Sequence, residues 1–208
     1  RLALIGETLS DAREVMVEGP SGILAISRRA RPRFEASRRR IVWENGAVAQ
    51  LFSAEDPDSL RGPQFDAAWC DELAKWRQAD ATFDMLQFGL RLGERPKQLL
   101  PTTPQPISLI RRLMDDPHVT VTRMRTDENR DNLAPGFIRA IRARYAGTRL
   151  GRQELDGELI EDRPDALWTR AMLETAGTFE QRDDLKRIVV GVVPPLASSR
   201  RSDAGGLV

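Results

Sequence analysis

Short apolar runs alternate with longer amphipathic stretches over the first 124 positions of the chain. The runs are too short for buried helices and predict strands at 2–6, 65–70, 98–100 and 119–124. Between them, apolar residues return every three or four positions, which predicts helices whose first member is capped by Ser10. These helices are expected at 10–18, 78–92 and 106–114, with a short helical turn at 21–27. Strands that alternate with helices are typical of a parallel α/β sheet.

One antiparallel hairpin interrupts this alternation. Residues 41–43 and 48–52 form two apolar stretches around Glu44-Asn45-Gly46. Asn-Gly between alternating strands is a strong hairpin signal, since both residues tolerate the positive φ that a two-residue turn requires. The uniformly apolar run at 2–6 predicts a strand with neighbours on both sides, and we expect a further segment ahead of Arg1.

The last third of the chain changes character. Residues 135–161 and 165–175 are predicted to be helical. An apolar run at 187–193 then predicts the first strand of a new unit, and it ends at Pro194-Pro195 before a polar, glycine- and serine-rich turn.

Composition places the chain among ordinary globular proteins. Its 208 residues are 40% apolar and 30% charged, with a mean hydropathy of −0.43, which suffices for a core. No apolar run reaches the ~18 residues of a membrane span, and the N-terminus is unlike a signal peptide. A cytoplasmic protein is therefore expected. The single cysteine, Cys70, excludes an internal disulfide, and the single histidine excludes a histidine-rich metal site.

The basic residues are almost all arginine. They number 32 against 31 acidic residues, a net charge of +1, which excludes a uniformly basic nucleic-acid coat protein. Only Lys75, Lys97 and Lys186 are lysines, so the arginines reflect either codon usage or a need for guanidinium groups that bind phosphate. None of the three lysines is followed by Ser or Thr, so the chain contains no P-loop lysine.

The most informative local feature is the apolar run at 65–70, which leads into Asp71-Glu72. An Asp at the end of a strand can hold Mg²⁺, and an adjacent Glu can orient the water that attacks a γ-phosphate. The same pair is also common as the acidic start of a helix, which needs no catalytic role.

Two further positions could belong to the same site. The run at 98–100 ends in Thr102-Thr103, whose hydroxyls suit a γ-phosphate sensor or, more simply, a helix N-cap. Arg61 lies on a loop before the Asp-Glu strand, where an arginine could stabilise transition-state charge in its own subunit or in a neighbour. With 29 arginines in the chain, a surface role for Arg61 is the alternative.

Four blocks in order carry a family resemblance: ALIGETLSDAREVMVEGPSGILAI, SAEDPDSLRGPQFDAAWCDELAKW, QLLPTTPQP and YAGTRLGRQELDGELIED. Together they resemble the large terminase subunit of tailed phages over roughly residues 1–195. The variety most similar is that of alphaproteobacterial prophages and gene-transfer-agent-like clusters. The resemblance implies an α/β fold, namely that of a P-loop ATPase core of the ASCE type. In this sequence the core lacks its Walker A loop. The resemblance further implies three parts: a partial motor domain at 1–133, a helical linker at 134–184 and the start of an RNase H-like nuclease at 185–208.

The resemblance also implies roles for individual residues. Asp71 corresponds to the Walker B acid that holds Mg²⁺ and ATP, and Glu72 to the catalytic glutamate. Thr102 and Thr103 correspond to the motif that couples ATP hydrolysis to movement, and Arg61 is an arginine-finger candidate. In the nuclease, Val193 stands where the family has its first metal-binding Asp. We therefore expect a parent protein without nuclease activity, since Asp203 lies too far along the chain to substitute.

The partners implied are double-stranded DNA, the portal protein, the small terminase subunit and further copies in a ring, with no membrane. Two alternatives stay open. One is a non-catalytic terminase remnant or DNA-binding module, based on the arginines at 28–40 and on Trp43, which could stack on a base. The other is a helicase-like ATPase, although helicase nucleic-acid motifs are not evident in the sequence.

Overall fold

The structure is a computed structural model, and it describes residues 1–27, 30–160, 172, 192–193 and 206–207. The chain divides into two compact units, Arg1–Ile160 and Glu161–Val208. The division at 133 and 184 inferred from the sequence stays a prediction.

The first unit is built on a six-stranded sheet in the order β2-β3-β4-β1-β5-β6. Strands β4, β1, β5 and β6 are parallel, and β2 and β3 extend the sheet as antiparallel neighbours of β4. A mixed α/β fold with a mostly parallel sheet is therefore confirmed. The strands are β1 Leu2–Gly6, β2 Arg33–Glu35, β3 Arg40–Val42, β4 Val48–Ser53, β5 Ala67–Cys70 and β6 Lys97–Leu99. The helices are α1 Leu9–Asp11, α2 Ile23–Ile26, α3 Ala79–Gly89, α4 Ser108–Asp115, α5 Pro135–Tyr145 and α6 Arg149–Asp156.

Strand β1 lies between β4 and β5 and is paired in parallel with both. Its residues Ala3 and Ile5 are fully buried and Leu4 is nearly so, because helices cover both faces of the sheet here. The expectation that the run at 2–6 has strand neighbours on both sides is confirmed.

The sheet separates two apolar clusters. On one face Ile5, Phe65 and Cys70 pack with Leu86 of α3 and Leu109 of α4. On the other face the main clustered residues come from β1, β3, β4 and the first helical segment: Leu4, Ala12, Met16, Val17, Ile41, Ala49 and Leu51. This arrangement follows the alternation of side chains along each strand.

The first helix is capped by Thr8 and not by Ser10, which corrects the sequence prediction. The Thr8 hydroxyl accepts a hydrogen bond from the Asp11 N–H at 3.0 Å, and the Asp11 carboxylate accepts one from the Thr8 N–H at 3.2 Å. This reciprocal capping box satisfies two donors, whereas Ser10 lies inside the helix and bonds Glu14 on the surface. The segment continues as a π-helical turn at Ala12–Val17.

The predicted hairpin is confirmed by the pairing of β3 with β4 around Gly46, whose φ is 83°. The prediction of a strand at 119–124 is wrong, because that segment has no regular secondary structure. A strand needs a neighbour for its backbone hydrogen bonds, and none of the described strands lies beside it. Val121 and Met124 are accordingly 47% and 72% exposed.

The predicted helical region at 135–161 is present as two helices, α5 and α6. They are separated at Gly147, whose φ is 76°, and Thr148 caps α6 by accepting a hydrogen bond from the Gly151 N–H. Among the described residues, no helix has the length and apolar character that crossing a membrane requires.

In the second unit, β7 Val192–Val193 pairs in antiparallel fashion with β8 Gly206–Leu207. The rest of the predicted strand at 187–193, the predicted helix at 165–175 apart from Met172, and Asp203 lie outside the described residues.

Candidate active site

The carboxyl ends of the parallel strands meet at one edge of the sheet and place Asp71, Glu72, Thr102 and Thr103 together. Backbone hydrogen bonds hold this edge: the Asp71 N–H donates to the Ile5 carbonyl at 2.8 Å, and the Glu72 N–H donates to the Pro101 carbonyl at 2.9 Å. Ligand sites of open α/β sheets lie outside the carboxyl ends of the strands. We name this group of four residues the carboxyl-edge cluster.

Glu72 has a left-handed backbone, with φ 52° and ψ 45°. This conformation costs a non-glycine residue on the order of 1 kcal/mol and persists only where the surroundings impose it. Here the N–H of Glu72 is held by Pro101, its carbonyl accepts from the Lys75 N–H at 2.9 Å, and its carboxylate accepts from the Thr103 N–H at 3.2 Å. The strained backbone therefore aims the Glu72 side chain at the end of β6.

Thr102 makes the second link between the two strand ends. Its hydroxyl accepts a hydrogen bond from the Ala74 N–H at 3.0 Å and lies 3.2 Å from the Thr103 carbonyl, to which it donates. The loop after β5 and the loop after β6 are thus joined by three hydrogen bonds, two between Glu72 and the pair Pro101 and Thr103, and one between Ala74 and Thr102. A movement of either loop must break these hydrogen bonds or carry the other loop with it.

Asp71 is a partly buried carboxylate whose negative charge is not balanced by its surroundings. Burial raises its pKa, the negative charge of Glu72 raises it further, and the Trp69 indole acts in the opposite direction. Its backbone carbonyl accepts a hydrogen bond from the Trp76 indole at 3.0 Å, which fixes the start of the loop. A cation beside Asp71 would relieve this unfavourable charge.

The structure adds one ion pair that the sequence analysis missed. Glu7 follows β1 directly, and its carboxylate lies 2.7 Å from the Lys75 ammonium. This contact is the main reason why the pKa of Lys75 is raised, with smaller contributions from Asp11 and Glu72. The sequence could have indicated this contact, because Glu7 directly follows a strand parallel to β5 and so reaches the same edge of the sheet.

Arg61 lies at the other end of β5. It precedes Phe65, whose N–H donates to the carbonyl of Gly89 at the end of α3, so this loop enters the sheet from its amino edge. The Arg61 guanidinium pairs with Asp58 at 2.6 Å, and both side chains are well exposed. Beside it, Pro63 and Phe88 line a pocket of about 210 Å³. The structure does not bring Arg61 into the carboxyl-edge cluster of its own chain.

Comparison with known proteins identifies the family and the fold of this chain. The family described as "Terminase large subunit, T4likevirus-type, N-terminal" matches residues 1–175. This chain belongs to that large terminase family. The match includes the whole carboxyl-edge cluster and the six-stranded sheet. No curated protein sequence matches the terminase chain.

Solved terminases share the fold of this chain at low sequence identity. The large terminase of a thermophilic bacteriophage in complex with ADP aligns with a TM-score of 0.61 and 14% identity, over 77% of this chain and 40% of its own. The same terminase with ATP-γ-S aligns at 0.58. A Thermus phage large terminase ATPase domain aligns at 0.52 and 14% identity, over 76% of each chain. The chain thus spans about 40% of the first of these terminases.

The described residues of the terminase chain contain no group of three or more His, Cys, Asp or Glu side chains that could hold a metal ion. Mg²⁺ at a nucleotide site typically takes one or two protein carboxylates and completes its shell with phosphate and water. Asp71, with its raised pKa and its place at a strand end, fits that smaller requirement.

We expect Thr102→Val to destabilise the chain by about 1–2 kcal/mol, because the nearly buried Ala74 N–H loses its acceptor. Thr102→Ser keeps the hydroxyl and serves as the control, with a smaller loss. Urea unfolding of the two variants measures the difference, and equal losses would show that the hydroxyl is not the stabilising group.

We expect Asp71→Asn to raise the melting temperature at pH 7. The folded state disfavours the ionised form of Asp71, and asparagine carries no charge. A raised pKa means that the folded state favours the protonated form, so the ionised form is destabilising above the unfolded pKa. The gain should therefore shrink as the pH falls through the folded-state pKa. Thermal melts from pH 8 to 4 measure it, and a gain that grows at low pH would contradict the assignment.

Proposed function

We propose that the chain is the motor part of a large terminase subunit that hydrolyses ATP with Mg²⁺ to drive double-stranded phage DNA into procapsids. The observation that carries this proposal is the left-handed Glu72, whose carboxylate is joined to the Thr103 N–H across the carboxyl edge. Family membership and the ADP and ATP-γ-S complexes of a terminase with the same fold support it.

In this mechanism each residue of the carboxyl-edge cluster has one task. Asp71 would hold Mg²⁺, which neutralises charge on the phosphates when bound. Glu72 orients the attacking water and takes up its proton. Because the Glu72 carboxylate also accepts from the Thr103 N–H, its turn toward water weakens that bond. The change reaches β6 through Thr103 and Thr102, so hydrolysis is coupled to a movement of the following loop.

Arg61 is assigned as an arginine finger that acts on a neighbouring subunit. Within one chain it lies at the amino edge of the sheet, whereas Glu72 lies at the carboxyl edge. Its exposed pair with Asp58 is weak and easily exchanged for a phosphate. A ring in which the amino edge of one subunit faces the carboxyl edge of the next would bring Arg61 to the nucleotide.

Mixed oligomers of Arg61→Ala and Glu72→Gln chains test this assignment, made in a protein in which a phosphate-binding loop precedes Arg1. Each variant alone should be inactive. In a random one-to-one mixture, about a quarter of the interfaces pair an intact Glu72 with an intact Arg61, so roughly a quarter of the ATP turnover should return. No recovery would contradict action across an interface, and full activity of the Arg61 variant would remove it from the site.

The remaining features of the parent protein belong to the same proposal. They are a P-loop ahead of Arg1, a portal protein and a small terminase subunit as partners, and an origin in an alphaproteobacterial prophage or gene-transfer-agent-like cluster. They also include a nuclease that follows the motor and lacks its first metal ligand at Val193. If the parent instead binds DNA without ATP turnover, the non-catalytic remnant is the better description.

A further inference from the structure

An arginine-rich surface lies on the antiparallel extension of the sheet, far along it from the carboxyl-edge cluster. We call it the arginine face, and it consists of Arg33, Arg38 and Arg40 around Glu35, together with the exposed Arg39 of the turn between β2 and β3. Residues 30–40 contain five arginines and one acidic residue, a net charge of +4. Since the whole chain carries only +1, the rest of it carries −3. Positive charge is therefore concentrated on this short segment.

The side-chain alternation of β2 and β3 turns this surface toward solvent. Phe34 pairs with Ile41 across the two strands and packs into the cluster beside the first helical segment. Arg33, Glu35 and Arg40 point to the other side of the sheet, by the alternation of strand residues. Among the described residues, the apolar cluster on that side takes no member from β2 or β3. The arginine face is thus left uncovered.

One carboxylate serves three guanidinium groups on this face. Glu35 lies 2.7 Å from Arg33, 2.6 Å from Arg40 and 3.9 Å from Arg38. Its side chain is 16% exposed, whereas those of Arg33 and Arg38 are 74% and 67% exposed. These arginines lower the pKa of Glu35, which stays ionised at neutral pH. Glu35 therefore orders the arginines but neutralises only one of their charges.

Arg39 supplies an independent observation. Its φ is 51° and its ψ 46°, a left-handed conformation that glycine or asparagine adopts more cheaply. Its carbonyl accepts from the Leu51 N–H at 2.9 Å, which continues the pairing of β3 with β4 by one residue. Its side chain is exposed and has no ion-pair partner among the described residues. The Arg39 guanidinium is thus available to an anionic ligand, at a position where glycine would cost less backbone strain.

We infer that the arginine face binds the phosphate backbone of double-stranded DNA without reading its sequence. Guanidinium forks match phosphate oxygens in pairs, and duplex DNA carries one negative charge per about 1.7 Å of its axis. The face has no aromatic side chain and no apolar patch that would favour a protein surface or unstacked bases. The choice of duplex DNA as partner rests on the proposed packaging function; the cationic surface does not.

The test is the binding of a fluorescent 30-base-pair duplex to the 208-residue chain, followed by anisotropy without nucleotide. The variant Arg38→Gln with Arg39→Gly removes two charges, and the glycine relieves strain, so the fold should be kept. Its control, Arg95→Gln with Arg123→Gln, removes the same charge from exposed loops. We expect the first pair to weaken binding about tenfold at 100 mM salt and to reduce the slope of log K against log salt by about 2. The control should change both far less.

A second variant tests the face in the opposite direction. Glu35→Gln removes the one carboxylate of the face and frees its arginines for phosphate. We expect tighter DNA binding and a steeper salt dependence by about one unit of slope. Loss of the folded arginine face is expected to weaken binding, so a gain separates the inference from a loss of structure.

Equal affinities and salt slopes for the Arg38/Arg39 variant and its control overturn the inference, as does weaker binding by Glu35→Gln. Unchanged DNA binding with altered self-association in sedimentation also overturns it, because the face would then contact another copy of the chain. Since no nucleotide is present, these outcomes are independent of whether the parent hydrolyses ATP.

Discussion

Glu72→Gln is expected to lower ATP turnover by at least about 10²–10⁴-fold, in a protein in which a phosphate-binding loop precedes Arg1. The reason is that glutamine cannot take a proton from the attacking water. Its amide oxygen can still accept from the Thr103 N–H, so the link across the carboxyl edge and the affinity for ATP should survive. Phosphate release measures turnover, and a fluorescent ATP analogue measures binding.

Glu44→Gln is the matched control for this prediction. Glu44 is exposed in the turn between β3 and β4, remote from the carboxyl edge, and its loss should leave turnover unchanged. Turnover by Glu72→Gln equal to that of the parent would show that another carboxylate is catalytic. The 208-residue chain alone should release no phosphate above the level of its own Glu72→Gln form, because none of its lysines lies in a phosphate-binding loop.

Leu86→Ala is expected to destabilise the chain by about 2–5 kcal/mol, the second large effect. Leu86 is fully buried where α3 packs on the sheet, and it lies in one apolar cluster with Ile5 and Cys70. Shortening it leaves a cavity under the helix that joins β5 to β6. Because β5 precedes this helix and β6 follows it, the lost packing should also loosen the link from Glu72 to Thr103.

Gln87→Ala is the control for Leu86→Ala. Gln87 is the next residue of α3, is exposed, and exchanges hydrogen bonds with the Gln98 side chain. Its removal should cost about 0.5–1 kcal/mol. Urea unfolding of both variants measures the difference, and a Leu86 loss no larger than the Gln87 loss would show that α3 is not anchored by this cluster.

The meeting of Asp71 and Thr102 could be predicted because it follows from one rule. Both residues follow apolar runs that alternate with helices, and parallel strands bring their carboxyl ends to one edge. Glu7 obeys the same rule and was missed because no chemistry was expected after the first strand. The hairpin at Asn45-Gly46 was equally predictable, since its turn is encoded by adjacent residues.

Contacts between distant residues decided what could not be predicted. The apolar run at 119–124 has the pattern of a strand, but a pattern cannot supply the neighbour that a strand needs. The cap was missed for a different reason, since its signal is local: Asp11 lies three residues after Thr8 and completes the reciprocal bond. The position of Arg61 relative to Glu72 depends on the direction of β5, which sequence spacing does not show.

Residue types and their order along the chain were sufficient to predict the family, the charge concentrated at 30–40, and the strand ends that carry Asp71, Glu72, Thr102 and Thr103. These features are local, since they depend on residue type, periodicity and order along the chain. The fold was needed to show that Glu72 is left-handed and bonded to Thr103, and that Arg61 lies at the opposite edge of the sheet. Strand pairing sets both, because the register of β1, β5 and β6 fixes which distant groups meet and which stay apart.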